Sequence, residues 1–252
     1  MIQKEWDAAV KAARPTPERG FAERWRDVYC QLDCRDWESL VEYRPCITGN
    51  EAMASYLDAR FPALDGAPLA ARFIRPAGEG PFPLVLMFHD EGRPVRGWHH
   101  MTRFVALGCA VFALQNRPDG APDQRITDAL AAACAAVHTA GADHRRLYAW
   151  GEGLGGTLAV AAAGLAGGSR CIALNPLCTG PYACCAGFAS LMKSRLLMGT
   201  GGMDPLALPE AQAAVFAAAG GPKRHILYPK HAHERINAFE DQMIVFLHPA
   251  AE

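Results

Sequence analysis

Several things are scarce in this chain, and each scarcity removes a class of function. No apolar run approaches the roughly 20 residues that a membrane-spanning helix needs. Neither sign of charge dominates: 25 Lys and Arg stand against 26 Asp and Glu, a formal net charge of −1. Nothing in that balance calls for nucleic acid or an anionic membrane as a partner. The opening residues, Met1-Ile2-Gln3-Lys4-Glu5-Trp6-Asp7, are charged and carry no apolar signal core, so secretion by that route is not expected. Nine cysteines form no Cys-x-x-Cys pair, and several (Cys109, Cys134, Cys171) lie inside apolar runs. Most of them read as small core hydrophobes, and the set as a whole fits a reducing compartment, which makes a cytoplasmic location the expectation. No convincing set of His and Cys stands at metal-ligand spacing, and no cofactor is implied.

Internal repeats, low-complexity tails and domain-boundary signals are also missing. Half of the 252 residues are hydrophobic and a fifth are charged, enough to bury one large α/β core. The expected organisation is a single domain over 1–252, with residues 1–38 as a helical segment packed on it. Thr16-Pro17-Glu18 resembles a helix start, and Phe21, Trp25 and Val28 follow at helical spacing. Ser39 to Cys46 and Glu51 to Phe61 read as extended, and Asp65-Gly66 makes a hairpin turn into Leu69–Ile74.

From Pro83 onward the pattern changes to short, continuous apolar runs: 83–88, 110–114, 146–150, 171–174, 195–198 and 225–228. Such runs are strands covered on both faces. Helical stretches at 98–107, 126–140, 155–165, 208–218 and 236–247 separate most of them. Alternation of this kind predicts a mostly parallel sheet with helices on both faces and an antiparallel N-terminal edge.

Ligand sites in such sheets lie beyond the carboxyl ends of the strands. After Phe88 come His89-Asp90-Glu91-Gly92, after Leu114 come Asn116 to Gly120, and after Met198 come Met203-Asp204-Pro205. Tyr228 is followed by Pro229-Lys230-His231-Ala232-His233-Glu234. The strand ending at Trp150 runs into Gly151-Glu152-Gly153-Leu154-Gly155-Gly156 and then a small-residue helix. That is the strand–turn–helix setting of a nucleophile elbow, Gly-x-Ser-x-Gly, with Gly151 and Gly155 at its flanks. The central position, where a hydroxyl belongs, is Gly153. A bland glycine-rich loop or phosphate cradle is the alternative, but no P-loop Lys-Ser/Thr follows. Elbow, then Asp, then His is the chain order of an α/β-hydrolase, and that order favours the elbow.

Taken together, these residues resemble the acetyl xylan esterase and cephalosporin-C deacetylase family (carbohydrate esterase family seven) of α/β-hydrolases. Thr16-Pro17-Glu18-Arg19 with Trp25 resembles its N-terminal helix, and Asp65-Gly66-Ala67-Pro68-Leu69 its leading hairpin. Phe88-His89 with Gly92 is similar to its oxyanion loop, and Asn116-Arg117-Pro118-Asp119-Gly120 to its Arg-Gly-Gln-Gly turn. Gly202-Met203-Asp204 and Ala232-His233-Glu234 are similar to its acid and base segments. The resemblance implies an α/β-hydrolase fold, His233 as base and Asp204 as its orienting acid. It favours His233 over His231, because only His233 has the family's following Glu. It also implies that Gly153 stands where the family has serine, Leu154 where it usually has glutamine, and Glu91 where it usually has an oxyanion-binding tyrosine. The segments 119–127 and 179–193 are shorter than the family's, so the resemblance leaves both the substrate and the hexameric assembly open for this chain. A homo-oligomer of another kind stays open.

Without a serine hydroxyl no acyl-enzyme forms. On this reading Glu91, at the expected oxyanion site, and Glu152 beside it add negative charge where a developing oxyanion wants donors. Glycine at the elbow relieves a backbone strain of about 1–3 kcal/mol. The expectation is a catalytically degenerate homologue, a pseudoenzyme, able to hold a small acetylated saccharide or ester. Two alternatives stand beside it: weak ester hydrolysis by water activated at His233, and a non-catalytic partner of an active esterase.

Overall fold

The computed structural model describes residues 1–48, 52–138 and 142–248. Among the described residues nine strands form one sheet in the order β1-β2-β3-β5-β4-β6-β7-β8-β9. The leading edge is antiparallel: β1 (Glu42–Ile47), β2 (Ala54–Pro62) and β3 (Pro68–Pro76) are consecutive neighbours, and β3 runs against β5. The remaining strands, β4 (Phe82–Phe88), β5 (Ala110–Gln115), β6 (Ala142–Glu152), β7 (Arg170–Leu174), β8 (Arg195–Gly201) and β9 (Lys223–Tyr228), pair in parallel. Apart from the half-buried edge strand β9, their cores are buried on both faces, which is why the sequence shows continuous apolar runs rather than alternation.

Apolar layers cover both sides of the sheet. One takes buried residues from α1 (Gln3–Ala12), α2 (Phe21–Asp33), α5 (Pro122–Val137), α6 (Leu154–Leu165), α7 (Cys185–Leu191) and α8 (Pro209–Ala218). The other takes Met101 and Phe104 of α4 (Trp98–Val105) and Phe239, Met243 and Leu247 of α9 (Asn237–Leu247). α6 is hydrophobic all round because it is buried all round: every residue from Leu154 to Ala163 is buried. Burying a Leu or Val side chain there stabilises by about 1.5–3 kcal/mol, so the helix behind the bend at Gly153 is firmly seated.

Three local features differ from the sequence reading. Ser39 and Leu40, expected to be extended, belong to a short helix, α3 (Trp37–Leu40), and the strand begins at Glu42. α2 starts at Phe21 after Gly20, and the Thr16 hydroxyl turns to the Arg14 carbonyl instead of capping a helix. The chain before it forms α1, which buries only Trp6; that indole stacks on His225 of β9 at 3.6 Å. One apolar anchor on an otherwise polar helix leaves little periodic signal.

The sheet also fixes what meets at its carboxyl edge. β4 leads to β5 on one side, and β6 returns to its other side, so the order reverses between β4 and β6. That is the switch point at which open α/β sheets leave a crevice. Phe88 pairs with Gly151 across it, and two residues further on Asp90 comes level with Gly153.

Candidate active site

Gly153 is the hinge between β6 and α6, with φ 56° and ψ −124°. A residue carrying a Cβ adopts that conformation only at a cost. The bend is tight enough that a Cβ on Gly151 would lie 2.0 Å from the Gly155 carbonyl oxygen. The N–H of Gly153 donates to Leu174 O (2.9 Å) and its carbonyl accepts from Leu177 N (3.1 Å), tying the bend to the end of β7.

At the far side of the same edge His233 and Asp204 meet. His233 Nδ1 donates to Asp204 Oδ2 at 2.8 Å. The other Asp204 oxygen accepts from the N–H groups of Leu206 and Ala207, both at 2.8 Å. This carboxylate is buried and held by three donors, and it fixes the ring. His231 is turned outward and pairs with Glu234 (3.0 Å). Glu234, the residue that marked His233 in the sequence, thus serves its neighbour.

The space beside Gly153 is filled. A Cβ built on Gly153 would fall 1.9 Å from Asp90 Oδ1. That oxygen accepts from the N–H of Glu91 (2.8 Å) and the N–H of Leu154 (2.9 Å), while Asp90 Oδ2 accepts from His233 Nε2 at 3.1 Å. In the sequence Asp90 stands just past β4 with no mark of a role. The carboxylate expected at the oxyanion position was Glu91; its side chain instead points to solvent and to Arg125 (2.9 Å). Leaving β4, successive side chains turn opposite ways, so Asp90 faces the crevice and Glu91 contributes only its backbone N–H.

Both ring nitrogens of His233 therefore face carboxylate oxygens, which only a doubly protonated ring satisfies on both sides. The bond to Asp204 first, then that to Asp90, pushes the His233 pKa up to about 9 against the opposing effect of burial. Burial alone would raise Asp90, but the bonds from His233 and from the Leu154 and Glu91 N–H groups outweigh it, and its carboxyl sits below the usual range. Near neutral pH the site is a carboxylate–imidazolium–carboxylate chain.

A ring of charge surrounds it. Glu152 is buried and pairs through Oε1 with Arg96 and, at 3.6 Å, with Arg93; Arg93 also lies 3.7 Å from Asp90 Oδ2. Burial raises the Glu152 pKa despite those arginines, and among the described residues its Oε2 has no hydrogen-bond partner. Asn175 holds the far loops, accepting from Gly201 N (2.7 Å) and donating to Ala232 O (3.2 Å), with φ 47°. Positive φ suits Asn better than most side chains, a signal that Asn175-Pro176 at a strand end carried. His89 joins β4 to β5: its Nε2 accepts from Asn116 N (3.1 Å), and burial lowers its pKa. Asp90, Arg93, Glu152, Gly153, Asn175, His233 and Glu234 line a cleft of about 10 Å³, room for about one water. Among the described residues no group of three His, Cys, Asp or Glu is placed to hold a metal ion, and no helix is long and apolar enough to cross a membrane.

The whole arrangement has counterparts among known proteins. A structure of the acetyl xylan esterase from Paenibacillus sp. R4 superposes with TM-score 0.85 at 20% identity, covering 98% of this chain and 99% of that one. Acetyl xylan esterase 1 from Thermoanaerobacterium sp. JW/SL YS485 gives 0.84 at 19%, with 98% of each chain covered. A dienelactone hydrolase-like promiscuous phosphotriesterase, P91, from metagenomic libraries gives 0.62 at 18%, covering 77% of this chain and 98% of that one. These likenesses establish the α/β-hydrolase fold. Among curated protein sequences none matches. The family model described as acetyl xylan esterase (AXE1) matches residues 11–130 and 177–249. The stretch between them, 131–176, contains all of β6, the bend at Gly153, α6 and β7. With well over half of its length matched, this chain belongs to the acetyl xylan esterase family.

Proposed function

We propose that this protein is an acetyl xylan esterase homologue that does not perform serine-esterase catalysis. The observation that carries the reading is the geometry at residue 153. The bend that would present a nucleophile bears glycine, and a Cβ there would collide with the Asp90 carboxylate. Three requirements of acyl transfer fail together. No hydroxyl or thiol stands at the bend. The Leu154 N–H, one of the donors an ester carbonyl would use, is already bonded to Asp90. The imidazole that would accept a proton is already charged at neutral pH, being pushed up to about 9, and a charged ring is no base. That last point also disfavours ester hydrolysis by water activated at His233, because Nε2 is committed to Asp90. Losing one catalytic group leaves residual catalysis from the oxyanion hole, but here the hole is occupied too.

The test is turnover of p-nitrophenyl acetate at pH 7–8 by the purified protein and by His233→Ala. The expected result is the buffer rate for both. Turnover well above buffer that the substitution abolishes would refute the reading.

A further inference from the structure

The chain lacks a hydroxyl at the bend, but it does not lack an oxygen there. Asp90 arrives from the neighbouring strand and meets a full set of supporting groups. Its Oδ1 rests on two backbone N–H donors, those of Glu91 and Leu154. Asp90 lines the cleft, and its Oδ2 stands 3.1 Å from a histidine that Asp204 orients. The carboxylate side chain is 8% exposed, so these contacts are not those of a surface acid.

We propose that Asp90 is a carboxylate nucleophile, and that the site acts on small primary alkyl compounds with an anionic leaving group instead of on esters. The distinction lies in where the hole is needed. An acyl substrate must place its own carbonyl oxygen in the hole, which Asp90 Oδ1 fills. A saturated carbon needs no hole when it is attacked. The hole is needed only afterwards, for the carbonyl oxygen of the ester formed on Asp90, and that oxygen is already in place.

The steps balance as follows. Oδ2 gives an electron pair to the primary carbon, and the carbon–halogen bond breaks. Halide leaves with the bonding pair on the side of Arg93, a half-exposed guanidinium at the cleft mouth. Asp90 is then a neutral alkyl ester. With one of its two anionic neighbours gone, His233 releases its proton to solvent and becomes a base. A water entering from solvent attacks the ester carbon and gives its proton to Nε2. The electron pair displaced onto Oδ1 is met by the Glu91 and Leu154 N–H groups. Collapse expels the alkoxide, which takes the proton back from His233 and leaves as the alcohol. The carboxyl proton of Asp90 passes to His233, and the starting ion pair is restored. The net change is alkyl halide plus water to alcohol, halide and a proton.

The experiment offers the full-length protein chloroacetate and 2-chloroethanol in ¹⁸O-labelled water. Chloride release is followed, and the Asp90 peptide is read by mass spectrometry. Cysteine alkylation also frees chloride, so catalysis requires release beyond the nine equivalents that the cysteines could consume. The expected results are continued turnover with at least one compound, ¹⁸O in the Asp90 carboxylate, and loss of turnover in Asp90→Asn. His233→Gln should stop after one event, with the Asp90 peptide heavier by the alkyl group. If folded wild-type protein releases no chloride beyond nine equivalents and Asp90 stays unlabelled with both compounds, Asp90 is a fixed plug and the proposal is overturned. Turnover of p-nitrophenyl acetate by the same preparation would refute the loss of acyl chemistry separately, without deciding the alkyl reaction.

Discussion

The two flanks of the carboxyl edge have fared differently. On the β8–β9 flank, acid and base stand within hydrogen-bond reach, and Asp204 is fully satisfied by His233 and two N–H groups. On the β4–β6 flank, the bend carries glycine, and a carboxylate from the adjacent strand occupies the space beside it. One flank orients a ring that holds a proton, while the other sets a carboxylate against a bare bend. The two positions of that second flank are linked, because the Asp90 carboxylate and a side chain at 153 cannot occupy the same volume. A glycine there is a condition for Asp90 to reach the two N–H donors and the imidazole.

The difference between the flanks can be broken most severely at Asp204. Asp204→Ala removes a buried carboxylate, strands the Leu206 and Ala207 N–H groups and frees His233 Nδ1. Removing one partner of a buried pair costs about 3–5 kcal/mol, so urea denaturation should show a loss in that range.

Next in size is the pH response of the shared histidine. Its pKa is raised from 6.5 to about 9 on folding. The stabilisation is therefore complete below pH 6.5, shrinks as pH rises and is gone above about 9. A shift of that size corresponds to about 3 kcal/mol. Asp90 is shifted the other way, so its share of the same interaction is present above the ordinary carboxylate range and lost as pH falls through it. Stability measured between pH 5 and 10 should fall across the alkaline half, and Asp90→Asn should flatten that fall.

A smaller effect sharpens the link between 90 and 153. Gly153→Ser should destabilise, since φ 56° alone costs a side chain about 1–3 kcal/mol and Asp90 must also move. In Asp90→Gly the same substitution should cost less, with a coupling of about 0.5–3 kcal/mol in a double-mutant cycle. Gly153→Ser alone should stay silent on p-nitrophenyl acetate because the displaced Asp90 carboxylate stays beside the bend and the imidazole. The Asp90→Gly/Gly153→Ser pair empties the hole, and turnover above its His233→Ala control is expected.

Much of this frame is legible in the chain. The short apolar runs separated by helical stretches correspond to β4–β9 and their helices, because strands buried on both faces must be continuously hydrophobic. The order of Gly153, Asp204 and His233 is local information, each residue lying just past a strand. Asp90 was not legible as part of the site. Its position depends on Phe88 pairing with Gly151, a register between strands far apart in sequence, and on which of two adjacent acids turns inward. Glu91 drew the assignment because the resemblance pointed to its position, yet at a strand exit the neighbouring residue faces the other way. Asn175 reaches Gly201 and Ala232, and Arg93 reaches Glu152, across long stretches of chain, and no spacing in the sequence encodes those contacts.

The most direct measurement is an NMR titration of the His233 ring in the wild-type protein and in Asp90→Asn. The expected result is a pKa of about 9 in the wild type, falling when the Asp90 charge is removed, because two carboxylates hold that proton. A wild-type value near 6.5, or one that Asp90→Asn leaves unchanged, would contradict the placement of Asp90 at the vacant elbow.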